Sequence, residues 1–205
     1  MKRKHLPQDL PGFSLIEIAL VLIAIGVLAG AIFKGQDILE AAKIRAALNE
    51  IDRIRIATAL YRDTFGQWPG NDSLAKSRFG ADVANGQGNG IISGDEISQF
   101  WVHLAKAGHL SDNVAPSSRL GGTFTIEGDR TLSKNFLVLS GPENSGLLTP
   151  KQAASLKAKA GENNPSGGLL HITEGAGASP QSCINEGVFN LATKTPACIL
   201  KVELH

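Results

Sequence analysis

The sequence has little net charge and few aromatic residues. Its 205 residues carry 20 Lys and Arg against 19 Asp and Glu, and aromatic residues make up 5%. The first twelve residues alone carry a charge of +2, from Lys2, Arg3, Lys4 and Asp9, so the rest of the chain is at −1 against +1 for the whole. Broad nucleic-acid binding requires a basic surface, and this composition argues against it.

Motifs for catalysis are also scarce. No nucleophile motif is present, and the glycines at 86, 88 and 90 lack the preceding strand of a phosphate-binding loop. The five histidines are scattered without metal-ligand spacing, and His103 and His109, in or just after a Trp-bearing segment, are expected to face solvent. We therefore expect a protein that is not an enzyme.

One long stretch is almost free of polar residues. Between Phe13 and Phe33 the strongly polar residues are Ser14 and Glu17, and as a helix these 21 residues would cross a hydrocarbon core of about 30 Å. The basic cluster before the stretch predicts a cytoplasmic N-terminus and a C-terminal body outside the cytoplasm. An ordinary secretory signal has a shorter apolar core with a small-residue cleavage site after it, and this stretch has neither.

The N-terminus resembles the class III signal of type IV pilins and of the pseudopilins of type II secretion systems. The residues that carry the resemblance are a basic leader ending in Gly12, then Phe13, then Glu17 at the fifth position counted from Phe13, within the apolar stretch. The resemblance implies cleavage between Gly12 and Phe13 by a prepilin peptidase and methylation of the new amine. It also implies other pilin or pseudopilin subunits and an inner-membrane assembly platform as partners. A plain signal anchor is the alternative.

Glu17 is the residue of this stretch that most needs an explanation. An ionised carboxylate in a bilayer costs several kcal/mol unless it has a partner, and such groups are usually functional. Cleavage would create a cationic amine on Phe13, which a neighbouring subunit could present to Glu17. In the resembled family this pairing aligns an incoming subunit. The alternative is that Glu17 reaches the headgroups from near the helix end.

Helical spacing continues beyond the apolar stretch. Apolar residues recur every three or four positions, at Ile44, Ala47, Leu48, Ile51, Ile54, Thr58, Tyr61 and Phe65. One helix of about fifty residues is predicted. Gly66, Pro69 and Gly70 follow it and are expected to stop it. The predicted organisation is a leader at 1–12, a membrane and polymerisation helix at 13–33, an amphipathic continuation at 34–65 and an extracytoplasmic domain at 66–205.

A glycine-rich segment at 85–96, NGQGNGIISGDE, can be laid on a twelve-residue calcium loop. Gly90 then falls at the turn, and any affinity would be weak because amides replace acids at the first places. The candidate ligands are Asn85, Gln87, Asn89, the Ile91 carbonyl, Ser93 and Glu96. Ser93 and Glu96 also fit a capping box that begins a helix carrying Ile97, Phe100, Trp101 and Leu104 on one face and ending at Gly108.

The C-terminal half favours a small sheet. Residues 123–127, 136–139, 168–173 and 198–204 are predicted strands, and a short helix is expected between Thr149 and Gly161. A small antiparallel sheet packed on the long helix gives an α+β fold, which is also the pilin architecture that the resemblance implies. Cys183 and Cys198 would form a disulfide if this domain lies outside the cytoplasm, and two buried thiols are the alternative.

These observations predict a pilin-like structural subunit that assembles through its N-terminal helix into a type IV pilus or a type II secretion pseudopilus. A membrane-anchored binding module that uses the helix only for display is the alternative from another class. A single-pass anchored enzyme would require a pocket with convergent polar groups.

Overall fold

The computed structural model describes residues 12–204, with the side chain of Phe33 left out. Of the predicted leader at 1–12, only Gly12 is therefore among the described residues. The chain divides into two compact units, Met1–Ala42 and Lys43–His205.

A single long helix, α1, spans Leu15–Phe65 with 51 residues, which confirms the prediction of one helix of about fifty. It ends at Gly66, whose φ of 70° places it in the left-handed region and whose N–H donates to the Arg62 carbonyl oxygen at 2.8 Å. Glycine adopts this conformation at helix ends without the steric cost that a Cβ would add.

The part of α1 within the second unit buries the predicted apolar stripe. Ile44, Ala47, Ile51, Ile54, Thr58 and Tyr61 are each at most 1% exposed. Their spacing of three, four or seven residues places them on one face of a helix with 3.6 residues per turn. This face contributes to the core of the Lys43–His205 unit.

The sheet has four antiparallel strands in the order β1-β2-β6-β3, where β1 is Thr123–Asp129, β2 is Lys134–Ser140, β3 is Leu170–Glu174 and β6 is Cys198–Leu204. All four predicted strands are thereby confirmed, within a few residues at their ends. A two-stranded hairpin of β4 (Ile184–Asn185) and β5 (Val188–Phe189) was not predicted.

Alternate residues of the sheet share one core with α1. The inward-facing pairs include Leu137 with Val202 and Leu139 with Leu200, which are partners in the β2–β6 register. Side chains on a strand alternate between faces, so each of these pairs lies on the same side of the sheet. The fold is therefore α+β, a long helix packed on a small antiparallel sheet.

Three shorter helices complete the domain: α2 (Ala75–Phe79), α3 (Glu96–Lys106) and α4 (Pro150–Lys159). The first of these was not predicted. The N-terminus of α4 has a capping box, in which the Thr149 hydroxyl accepts from the Gln152 N–H and the Gln152 side chain accepts from the Thr149 N–H.

A disulfide joins Cys183 to Cys198, with their Cα atoms 5.2 Å apart. The two residues are 15 positions apart and both are fully buried. The prediction that they are joined is confirmed, and the bond ties the β4–β5 hairpin to the first residue of β6.

Candidate functional site

The beginning of the described chain is an exposed apolar helix. Gly12, Phe13 and Ser14 precede α1, and its first backbone hydrogen bond runs from the Ile18 N–H to the Ser14 carbonyl oxygen at 3.2 Å. Phe13 is 80% exposed, and Glu17 lies exposed in the first helical turn. A carboxylate there interacts favourably with the unpaired N–H groups of the helix N-terminus.

One helix among the described residues, α1, is long and apolar enough to cross a membrane. Its most apolar 18-residue window has a mean hydropathy of 2.7, and none of that window is buried within the chain. A buried core helix can be equally long and apolar, but α1 differs from such a helix because its apolar window is exposed. Signal sequences share this length and composition.

The glycine-rich segment at 85–96 is organised around the carboxylate of Glu96, which is 6% exposed. Its Oε1 accepts hydrogen bonds from the Gln87 N–H at 2.7 Å and from Asn71 Nδ2 at 2.8 Å, while its Oε2 accepts from the Ser93 N–H at 3.0 Å. The last bond is one half of the predicted capping box. The other half is not formed, because the Glu96 N–H donates to the Ser93 carbonyl oxygen at 3.2 Å, and the N-cap of α3 is Asp95, which makes no side-chain cap. Three donors satisfy this buried charge without a cation.

Asn71 was not identified as a site residue from the sequence. It is 1% exposed, and its side chain lies at the centre of the hydrogen bonds made by residues 89–96. Its Oδ1 accepts from the Gly90 N–H at 2.7 Å. Its Nδ2 has three acceptors, namely Glu96 Oε1 at 2.8 Å, Asn89 Oδ1 at 3.1 Å and the Ile91 carbonyl oxygen at 3.3 Å. Since the amide has two hydrogens, one of them is shared between acceptors.

The other predicted ligands have different partners. Asn85 Oδ1 accepts from the Lys76 N–H at 2.7 Å, at the start of α2. Gln87 contributes its backbone N–H to the carboxylate of Glu96, and its side-chain oxygen accepts from Asn89 Nδ2 at 3.0 Å. The structure thus brings three of the six predicted ligands together around Asn71, and calcium binding stays a prediction.

A second buried asparagine attaches this loop to the sheet. Asn135, in β2, is 1% exposed. Its Oδ1 accepts from the Ile92 N–H and its Nδ2 donates to the Gly90 carbonyl oxygen, both at 2.9 Å. One side chain therefore satisfies two backbone groups of the loop, as a neighbouring strand would.

Close backbone contact explains one glycine of the loop. A Cβ on Gly86 would lie 2.3 Å from the Gly70 carbonyl oxygen and 2.4 Å from Asn71 Cα. The Gly86 N–H donates to the Asp72 carbonyl oxygen at 2.8 Å. The two segments can approach this closely only where no side chain intervenes.

His103, in α3, is fully buried, so the expectation that it faces solvent is wrong. Its Nδ1 accepts from the Gly70 N–H at 2.9 Å, which requires the proton on Nε2, and Nε2 donates to the Ala84 carbonyl oxygen at 3.0 Å. Burial lowers the pKa of His103, against weaker opposing effects of the Ala84 bond and of Asp72 and Glu96. His109 is half-buried, and its Nε2 is shielded from solvent.

The segment next to Asn71, which packs against residues 85–96, is attached to α1 through Tyr61. The Tyr61 hydroxyl donates to Asp72 Oδ2 at 2.8 Å, and the Arg78 guanidinium pairs with the same carboxylate oxygen. Burial, reinforced by the hydrogen bond to Asp72, raises the pKa of Tyr61 well above its ordinary value. Asp72 Oδ1 also accepts from the Leu74 N–H at 2.8 Å, so the buried carboxylate is fully satisfied.

A second polar centre closes the segment between α4 and β3. Lys157 is buried, and its Nζ donates to the Leu170 carbonyl oxygen at 2.5 Å, the Gly167 carbonyl oxygen at 2.6 Å and Glu162 Oε2. Burial raises the pKa of Glu162, but the Lys157 ammonium and the N–H groups of Leu169 and Leu170 together lower it below its usual range.

Metal-ligating side chains do not cluster in the part of the chain that the structure describes. Within residues 12–204 no group of three or more His, Cys, Asp or Glu is placed to hold a metal ion.

No protein-family model matches the sequence, and no curated protein matches it. Among solved structures, the chain is similar to the major type IV pilin PilA1 from Clostridium difficile, with a TM-score of 0.42 and 16% sequence identity. The alignment covers 82% of this chain and 97% of that chain. Similarity at this level does not place the chain in a family.

Proposed function

We propose that this chain is a pilin-like structural subunit. In this proposal the leader is removed between Gly12 and Phe13 by a prepilin peptidase, and the new amine is methylated. The subunit then assembles through its N-terminal helix, with the help of an inner-membrane platform, into a type IV pilus or a type II secretion pseudopilus.

The observation that carries the proposal is the uncovered apolar surface of α1. Its most apolar window has no buried residues, and large side chains such as Leu15, Ile16 and Leu22 are more than 60% exposed. A continuous apolar surface of this size is unfavourable in water and indicates contact with lipid or with other proteins. A subunit that is first anchored and then polymerised would cover this surface in both states.

Glu17 gives the proposal its residue-level mechanism. It is the only ionisable side chain between residues 13 and 33, and it lies one helical turn after Phe13. Inside a filament its charge would need a partner, and the amine of a neighbouring subunit's Phe13 is a cation of the right size. The pairing would set the axial position of each subunit.

The proposed location follows from the same elements. The chain would lie in the inner membrane by residues 13–33, with the domain at 66–205 outside the cytoplasm, and then in the filament. The disulfide between Cys183 and Cys198 supports an extracytoplasmic domain, because disulfides persist in oxidising compartments.

The experiment compares the wild-type chain with Glu17→Ala in its native host, by intact mass and N-terminal sequencing and by recovery in sheared filaments. We expect both to begin at a methylated Phe13 and only the wild type to enter filaments. Asp37→Ala is the matched control, since Asp37 is the next carboxylate on α1, and this variant should still assemble.

A chain that keeps Met1 and the leader would contradict the proposal and favour the binding module displayed on a simple anchor. The observation on the side of that alternative is the exposure of Val188 and Leu191, 64% and 54%, within the segment that the disulfide closes. Single exposed apolar residues are common on protein surfaces, so the structural subunit remains the better supported function.

A further inference from the structure

The centre of the segment at 85–96 holds a nitrogen where a calcium loop would hold its ion. The oxygens at three predicted ligand places, the fifth (Asn89 Oδ1), the seventh (the Ile91 carbonyl) and the twelfth (Glu96 Oε1), all accept from Asn71 Nδ2, at 2.8–3.3 Å. In a calcium loop these oxygens would instead lie 2.3–2.6 Å from the cation.

The orientation of the Asn71 amide is fixed by its other end. Its oxygen accepts from the Gly90 N–H at 2.7 Å, and exchanging the amide oxygen and nitrogen would set two donors against each other. The same exchange would bring an amide oxygen against three other oxygens. The atom at the centre is therefore a donor, and a donor cannot ligate a cation.

Displacing Asn71 would be costly. The side chain is 1% exposed, and the residues on either side of it are held separately, Gly70 through its N–H to His103 and Asp72 through its carboxylate to Tyr61. An ion at the centre would break both ends of the amide network and leave the Gly90 N–H without its acceptor. The present donor set thus does not fit calcium.

We propose that the Asn71 amide takes the place of the ion, so that this loop closes without any divalent cation. The positive end of the amide dipole lies against the Glu96 carboxylate, and backbone N–H groups supply the rest of the carboxylate's partners. The proposal also predicts that Asn71→Asp converts the loop to a calcium site. That change would add a carboxylate oxygen at position 71 to the three oxygens of Asn89, Ile91 and Glu96 that already converge there.

The test measures thermal unfolding of the full chain in detergent micelles, with millimolar calcium and with chelator. For the wild type we expect the same Tm in both conditions. For Asn71→Asp we expect a lower Tm in chelator, because two carboxylates then face each other, and a rise of at least ~3 °C with calcium. Magnesium should give a smaller rise, since it requires near-ideal octahedral geometry and gives up its water ligands reluctantly.

Asn135→Asp is the matched control. It also replaces a buried asparagine that holds this loop, but its nitrogen faces a single acceptor, the Gly90 carbonyl oxygen. We expect it to be destabilised and insensitive to calcium. A wild-type Tm that rises with calcium would overturn the proposal and support the calcium loop. An Asn71→Asp chain that folds and ignores calcium would equally overturn it, and the wild-type measurement decides the matter if that variant does not fold.

Discussion

Two loops of the Lys43–His205 unit are each closed on one buried nitrogen, and the two nitrogens differ in charge. Asn71 Nδ2 donates to a glutamate, a side-chain amide and a backbone carbonyl, whereas Lys157 Nζ donates to a glutamate and two backbone carbonyls. Each nitrogen has three acceptors, one of which is a glutamate, so the comparison shows what a charge on the nitrogen contributes.

The partners of Glu96 and Glu162 show what the difference in charge between the two nitrogens requires. Glu96 is satisfied by a neutral amide and two backbone N–H groups, so the buried carboxylate carries the only charge of its centre. Lys157 is buried as a cation, and an isolated buried ammonium is very costly, so an ion pair with Glu162 is needed. A loop centred on an amide can therefore lose its donor at a smaller cost than a loop centred on an ammonium.

Lys157→Met should have the largest effect, because it removes the cation that pairs with Glu162 and the donor to the Gly167 and Leu170 carbonyl oxygens, although Glu162 keeps the N–H groups of Leu169 and Leu170. Removing one partner of a fully buried ion pair costs about 3–5 kcal/mol, and because Glu162 is 20% exposed we expect a cost near the lower end, which urea unfolding of the chain in micelles would measure. Lys159→Met, at an exposed position of the same helix, should stay within about 0.5 kcal/mol of the wild type. A Lys157→Met chain as stable as the Lys159→Met chain would show that the buried charge contributes nothing.

Asn71→Ala should have a smaller effect of about 1–3 kcal/mol, since it leaves the Gly90 N–H unpaired but removes no charge. The carboxylate of Glu96 would keep the N–H groups of Gln87 and Ser93. Urea unfolding is again the measurement, and Asn113→Ala, at an exposed position, is the control that should change little. If Asn71→Ala lowers the free energy of unfolding as much as Lys157→Met does, the charge of the buried nitrogen does not determine the cost of losing it.

The sequence allowed the helices and strands with strong periodicity to be predicted. The stripe from Ile44 to Tyr61 and the alternation in residues 123–127 depend on neighbours a few positions away, and these elements were found. The β4–β5 hairpin was missed, because its strands have two residues each and give almost no periodic signal.

The polar centres could not be predicted in the same way. Asn71 meets Glu96 across 25 positions, and Asn135 meets Gly90 across 45, so no local pattern joins them. Lys157 lies in a short helix with lysines on either side, at 151 and 159, and nothing in the sequence separates the buried lysine from the exposed ones. Residue type at these positions follows from tertiary contacts alone.

His103 extends the comparison to a third centre, one whose charge changes with pH. It holds Gly70 and Ala84 as a neutral ring, and the groups that face it are Tyr61 of α1, Asp72 of the loop and Glu96 of its own helix. Burial lowers its pKa in the folded state, so below about pH 6.5 the unfolded chain binds a proton that the folded chain does not. Stability is then fully present above this pH and falls as the pH falls.

This smallest effect would be measured as the urea midpoint between about pH 7.5 and 5.5, a window above the titration of ordinary carboxylates. We expect the midpoint to decrease as the pH falls in the wild type and to stay level in His103→Gln, which has no imidazole ring at position 103. His171→Gln leaves His103 in place and should keep the wild-type slope. A level wild-type midpoint would mean that the Gly70 N–H does not depend on the neutral ring, and the loop would then be held by Asn71 and Asn135 at every pH in the window.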